Sequence, residues 1–308
     1  MSPAVVGVGN AHLDRTHVVT SIPGPDEGAY ALDSHTIVGG VAANVATGLA
    51  RLGHDTGVIA RLGDDADGRQ VQKELKRDGL DVERLRLVAD EASSYTLVLR
   101  TPDGQRAIVG GGESSLRLRL RAPDTAYLGG ATVAVTSGYT PAIVLQALLD
   151  RAIDPRPAVV VDLAGTMDEL RARGYTEAVL DRLLPRAALV VGSASAVASY
   201  AGTDTATVAA LRDRGVDQGA ITRGADGAQL WNSETVVDLP AFDVTVADTT
   251  GAGDAFTAGL IDGLVCRDCR LRAAGEFAAA AAALNCTTVG ARPGLPTRKA
   301  VEAFLRAQ

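Results

Sequence analysis

Short apolar runs that alternate with helical periods constrain this chain more than any other feature. Near-continuous apolar runs of strand length occur at Ala4–Val8, Thr56–Ile59, Val133–Thr136, Ala158–Asp162, Leu189–Val191, Gly219–Thr222 and Gln229–Trp231. Helical spacing of apolar residues recurs over Val41–Leu52, Gly68–Asp78, Ile143–Ala152, Thr176–Leu184, Thr205–Arg214, Asp254–Leu264, Leu271–Leu284 and Arg298–Arg306. A strand with no polar face must be covered on both sides, and helices between strands supply that cover. The pattern predicts an α/β fold: doubly wound, with a mostly parallel sheet and helices on both faces.

Two stretches break the rhythm, about 14–38 and about 92–109. They hold β-branched and polar residues punctuated by Pro23-Gly24-Pro25 and Pro102-Asp103-Gly104. Ser94–Arg100 and Gln105–Val109 read as the arms of a hairpin around the second turn. The stretches are either separate surface hairpins or two halves of one small β-lid. No internal repeat or linker divides the chain, so residues 1–308 are expected to form a single domain.

A net charge of −7 and a pI of about 5.2 argue against a nucleic-acid or anionic-membrane surface. No apolar run reaches the roughly 18 residues of a membrane span. The N-terminus reads as a first buried strand rather than a signal peptide, which fits a cytoplasmic protein. Cys266-Arg-Asp-Cys269 has metal or redox spacing, but no second Cys/His pair matches it; His12, His17, His35 and His54 all lie far upstream. Cys266, Cys269 and Cys286 are therefore expected to be structural thiols.

Chemistry concentrates in Asp248-Thr249-Thr250-Gly251-Ala252-Gly253-Asp254-Ala255-Phe256. Small residues at a helix start expose backbone N–H groups where the macrodipole favours an anion. An acid beside that anion site can take a proton from a hydroxyl while phosphate charge is neutralised next to it. Taken alone, Gly-x-Gly-Asp also serves as a simple helix cap. Further upstream, Gly39, Gly40 and Asn44 open another amphipathic helix, and Gly9-Asn10-Ala11-His12-Leu13-Asp14 follows the first strand. A third segment, Thr222-Arg223-Gly224-Ala225-Asp226-Gly227, is by itself as consistent with a hairpin turn as with a nucleotide site.

In this order the three segments resemble the signatures of the PfkB carbohydrate kinase family, also called ribokinase-like. The C-terminal signature of that family reads D-T-x-G-A-G-D-x-F. Its N-terminal one reads G-G-x-x-x-N-x-A followed by A-R-L-G, here Gly39 to Gly53. Arg61-Leu62-Gly63-Asp64-Asp65, Ser137-Gly138-Tyr139 and Gly290 to Pro296 are smaller echoes, so the resemblance spans Val5 to about Phe304. It implies ATP-dependent phosphotransfer to a hydroxyl of a small sugar or sugar-like acceptor. Asp254 would be the base, with Gly251, Ala252 and Gly253 as the anion hole. Asp14, Gly39, Gly40 and Asn44 would hold the acceptor. Ser193, Thr222, Arg223, Gly224 and Gly227 would line the nucleotide, although Arg223 is equally readable as a solvated arginine. ATP and Mg²⁺ are the implied cofactors, with a monovalent cation near Asp248, Thr250 and the 286–294 loop. The resemblance also allows a homodimer through the lid.

Departures from the family pattern leave alternatives open. Family members carry an Asn and, three residues later, a Glu that organises Mg²⁺ through water; Ser193 and Ala196 stand there instead. The usual Asn and Arg after Asp162 are also missing, so the metal ligands are unassigned. A degenerate sugar- or nucleotide-binding sensor is one alternative. A nucleoside kinase is another, with Tyr30 and Tyr95 as lid aromatics. Gly110-Gly111-Gly112 lacks the Gly-Lys-Ser/Thr ending of a phosphate loop and is expected to be a hinge below the lid.

Overall fold

In the computed structural model, which describes residues 2–149 and 153–308, the apolar runs align in one nine-stranded sheet. The strands of the chain are β1 (Val5–Val8), β2 (His12–Val19), β3 (Ala31–Gly39), β4 (Thr56–Gly63), β5 (Leu85–Val88), β6 (Tyr95–Arg100) and β7 (Arg106–Gly111). They continue as β8 (Val133–Ser137), β9 (Ala158–Asp162), β10 (Leu189–Ser193), β11 (Gly219–Thr222), β12 (Ala228–Trp231) and β13 (Val236–Leu239). The first helices are α1 (Val41–Arg51), α2 (Ala66–Arg77), α3 (Ala122–Gly129), α4 (Ala142–Leu149), α5 (Met167–Arg171) and α6 (Glu177–Leu183). After them come α7 (Ala194–Ala201), α8 (Val208–Arg212), α9 (Ala252–Leu260), α10 (Leu271–Cys286) and α11 (Arg298–Arg306).

The large sheet runs β13-β12-β11-β10-β9-β8-β1-β4-β5. All neighbours from β11 to β5 are parallel, and β12 and β13 extend one edge as antiparallel strands. Its inner strands are apolar on both faces because helices cover both; every residue of β1 is buried. Strand order reverses at β1, which lies between β8 and β4. The loops beyond the carboxyl ends of strands at such a reversal diverge and leave a crevice, where open α/β sheets bind ligands.

Both turn-rich stretches contribute to a second sheet, ordered β3-β2-β6-β7. Strand β2 pairs antiparallel with β3 and parallel with β6, so Asp14 faces Ile37 on one side and Thr96 on the other. The glycine run expected as a hinge is instead partly strand. Gly110 and Gly111 belong to β7, and a Cβ on Gly111 would lie 2.3 Å from the Tyr95 ring. Glycine is used there to let an aromatic ring lie across the backbone, not to confer mobility.

Local chemistry accounts for the displaced helix ends. Helix α2 starts earlier than its apolar period because the Asp65 carboxylate accepts the Gly68 N–H at 2.8 Å. Helix α8 starts later than expected because Thr207 caps it. The expected end of the helix through Ala152 lies outside the described residues. Helix α9 continues into a π-helical turn, Ile261–Cys266. Within that turn, buried Asp262 accepts from Arg298 at 3.0 Å and pairs with His54 at 2.7 Å, clamping the segment after α1 to α11. No helix among the described residues is long and apolar enough to cross a membrane.

Candidate active site

Gly251 adopts φ 79°, a left-handed conformation in which a Cβ would collide with Ala291 at 2.6 Å. That turn reverses the chain into α9 and leaves Gly253 beside open space. Among the first N–H groups of α9, that of Ala255 donates to Gly251 O at 2.9 Å and that of Ala252 to Thr249 O. Those of Gly253 and Asp254 have no backbone partner among the described residues. Two free donors at the positive end of a helix favour an anion.

Asp254 follows in the first turn of α9. Its Oδ2 accepts the Asn44 Nδ2–H at 2.7 Å, across 210 positions of sequence. Desolvation by the surrounding protein pushes its pKa up to about 8; the Asn44 bond opposes this, and the carboxylates of Asp162 and Asp14 add to it. A group that titrates near neutrality can both take and return a proton.

Asn44 projects from α1, whose start is set by Gly40 at φ 99°. A Cβ on Gly40 would lie 2.5 Å from Asn10 O, and one on Gly39 would lie 1.9 Å from Asp14 Oδ2. The two glycines thus bring α1 hard against the end of β1 and give the Asp14 carboxylate its space. Asp14 Oδ1 pairs with His12 Nε2 at 3.1 Å, and that imidazole also meets Thr96 Oγ1 at 2.9 Å. The side-chain oxygens Asn44 Oδ1 and Asn10 Oδ1 are buried with no hydrogen-bond partner among the described residues. Acceptors of this kind are costly to leave unpaired and are satisfied by a donor from water or from a ligand hydroxyl.

On the far side of Asp254 lies a cavity of ≈ 150 Å³. Asp254, Gly253, Asp162, Ser193, Thr222 and Tyr139 are among its lining residues. Ser193 and Thr222 are register partners at the ends of β10 and β11, which is why they arrive together. Ser193 also caps α7, its Oγ accepting the Ala196 N–H at 3.2 Å. Ala196 turns into the hydrophobic core. Arg223 is drawn aside to Asp238 at 3.4 Å. Gly224 sits at φ 60° in open space, and Gly227 at φ 81° is pressed against Leu239 O. Asp248 accepts from the N–H of Thr250 and of Gly290 at 3.0 and 2.9 Å, with Arg100 at 3.9 Å.

Asp162 is the residue that sequence reasoning passed over. Buried at the end of β9, it accepts from Thr257 Oγ1 at 3.0 Å and from Ala164 N–H at 2.9 Å. Burial pushes its pKa up to about 6 against those two bonds. An acid closing an otherwise apolar parallel strand was a usable signal, because carboxyl ends of strands face the crevice. Its contact with Thr257, three residues after Asp254, required the fold.

The family model described as pfkB family carbohydrate kinase matches residues 3–298. Ribokinase of Arabidopsis thaliana is 29% identical over 99% of this chain and 82% of its own length. Aminoimidazole riboside kinase of Salmonella typhimurium is 33% identical over 87% of each chain. The solved structure of the Arabidopsis thaliana ribokinase complexed with ribose and ATP superposes with a TM-score of 0.84 over 99% of both chains, at 26% identity.

Proposed function

Since this chain belongs to the pfkB family of carbohydrate kinases, and is thereby an ATP-dependent sugar kinase, we propose that Asp254 is the base of its phosphotransfer reaction. The acceptor hydroxyl loses its proton to the Asp254 carboxylate as the oxygen attacks the γ-phosphorus and the bond from that phosphorus to the bridging oxygen breaks, releasing ADP. The developing charge on the phosphoryl oxygens meets the N–H groups of Gly253 and Asp254 behind Gly251 and Ala252. The observation that carries this reading is the pairing of a raised-pKa aspartate with two unpartnered helix N–H groups beside one cavity.

Asp14 and Asn44 hold the acceptor, and Gly39 and Gly40 clear the space for it. The buried oxygens of Asn10 and Asn44 want hydroxyl donors, which a polyol supplies. The ribosyl unit named in both relatives supports a ribosyl-type acceptor. A base-stacking nucleoside site is less well served: Tyr95 already has the Arg15 guanidinium 4.9 Å from its ring centre and Gly111 against its edge. The small sheet acts as a lid that excludes water from the transfer. Its exposed Leu32, Ile108 and Val109 support a homodimer through that lid.

The nucleotide lies along Ser193, Thr222, Gly224 and Gly227, with Arg223 released from Asp238 to meet phosphate. Free N–H groups and a hydroxyl-lined cavity suit a triphosphate. Mg²⁺, brought in with the nucleotide, would be held chiefly by phosphates and waters and would supply positive charge to the transferring group. Among the described residues no cluster of three His, Cys, Asp or Glu side chains offers it a dedicated cage. Any monovalent cation at Asp248 and Thr250 shares that carboxylate with Arg100.

ADP release in the presence of pentoses, hexoses and nucleosides tests the reading. Acceptor-dependent turnover is expected, and Asp254→Asn should lower it at least about 10²-fold with ATP affinity kept. Turnover that survives the substitution removes Asp254 from the role of base. Tight acceptor binding with no turnover in either protein instead identifies a sensor.

A further inference from the structure

A second cleft, larger than the catalytic cavity, opens where the first turn of α4 meets the segment after α5. Its volume is ≈ 430 Å³, and Leu116, Pro141, Ile143 and Val179 give it apolar walls. Two arginines, Arg119 and Arg173, stand in the same lining, and no acidic side chain does among the described residues.

Both guanidinium groups are held by backbone carbonyls rather than by carboxylates. Arg119 Nη1 donates to Leu116 O at 3.0 Å and to Leu118 O at 2.7 Å. Arg173 donates through Nε to Tyr139 O at 3.2 Å and through Nη1 to Glu169 O at 2.5 Å. Carbonyls fix the position of a guanidinium without cancelling its charge. Neither arginine has a carboxylate partner, and Nη2 of each has no hydrogen-bond partner, among the described residues. Nearby Arg171, by contrast, is paired with Asp168 and Glu177. The first turn of α4, in the same wall, adds the positive end of a helix.

We propose that this cleft is a binding site for a small organic anion, with Arg119 and Arg173 as its charged clamp and the Leu116–Ile143–Val179 wall for an apolar body. Pre-positioned cations beside an apolar wall cost little ordering on binding, and guanidinium forks suit phosphate and carboxylate alike. One side-chain contact separates the site from the catalytic cavity. Arg173 lies 4.9 Å from the centre of the Tyr139 ring, and Tyr139 lines that cavity.

Calorimetric titration with phenyl phosphate tests the proposal without needing turnover, so its outcome is independent of the kinase reading. A saturating non-hydrolysable ATP analogue keeps the probe out of the nucleotide site. One saturable site is expected on the wild-type chain, and none for uncharged benzyl alcohol. Arg119→Gln should weaken the probe by at least about tenfold, the loss of one charge-assisted bond. Exposed Ile143, replaced by Asp or Lys, should weaken and strengthen it respectively, with little risk to folding. A parallel titration with benzoate separates the two anion sources. Binding by either anion supports the site and names its head group. The proposal is overturned if neither anion binds, or if the Arg119 and Ile143 variants bind as the wild type does.

Discussion

With Asp254 pushed up to about 8, only about a tenth of the molecules carry the ionised base at pH 7, and about a hundredth at pH 6. The specificity constant kcat/KM, which reports ionisations of the free enzyme, should therefore rise about tenfold per pH unit below 8 and level off above it. Coupled ADP release between pH 6 and 9.5 reads this directly. Folding stability supplies an independent check with a defined sign. The folded pKa lies above the roughly 3.9 of an unfolded aspartate, so the folded chain holds the extra proton between those values. The contribution of this group is fully present below about pH 4 and is lost as pH rises through 8. Asp254→Asn cannot ionise, so its Tm relative to the wild type should climb from pH 4 to 9. A rate profile flat from pH 6 to 8.5, with a Tm difference independent of pH, would refute the argument that burial and neighbouring carboxylates protonate Asp254.

Asn44→Ala removes the bond that opposes the upward shift, so the acid limb of the rate profile should move above pH 8; an unmoved limb means the bond is not made in solution. The loss should also cost about 0.5–1.5 kcal/mol in acceptor binding, seen in its KM. Gly39→Ala should raise acceptor KM and spare nucleotide affinity, because the new methyl displaces the Asp14 carboxylate; equal damage to both would place Asp14 elsewhere. Ala196→Glu, which restores a family acid in sequence, should lower Tm sharply because the side chain enters the core; an unchanged Tm with a lower Mg²⁺ requirement would show it reaching the phosphates. Asp262→Ala strands His54 and Arg298 and should destabilise by about 3–5 kcal/mol in denaturant unfolding; a variant within 1 kcal/mol of wild type, roughly the value of a surface pair, would refute the clamp.

The class of fold was legible in the chain because burial on both faces forces near-continuous apolar strands, and covering helices must repeat at their own period. The glycines were legible too: Gly39, Gly40 and Gly251 tolerate approaches or backbone angles that any side chain would forbid. What the sequence could not hold is the meeting of distant groups. Asn44 and Asp254 stand 210 residues apart and join only when α1 and α9 pack together. Asp162 looked like the end of a strand until Thr257 came to lie against it. Ala196 fell into the core and Arg223 turned to Asp238, since neither helix rotation nor an ion partner is a property of local sequence. Propensity and periodicity act over a few residues and select the elements. Desolvation and carboxylate repulsion, which decide the proton on Asp254, act through space and exist only once those elements have packed.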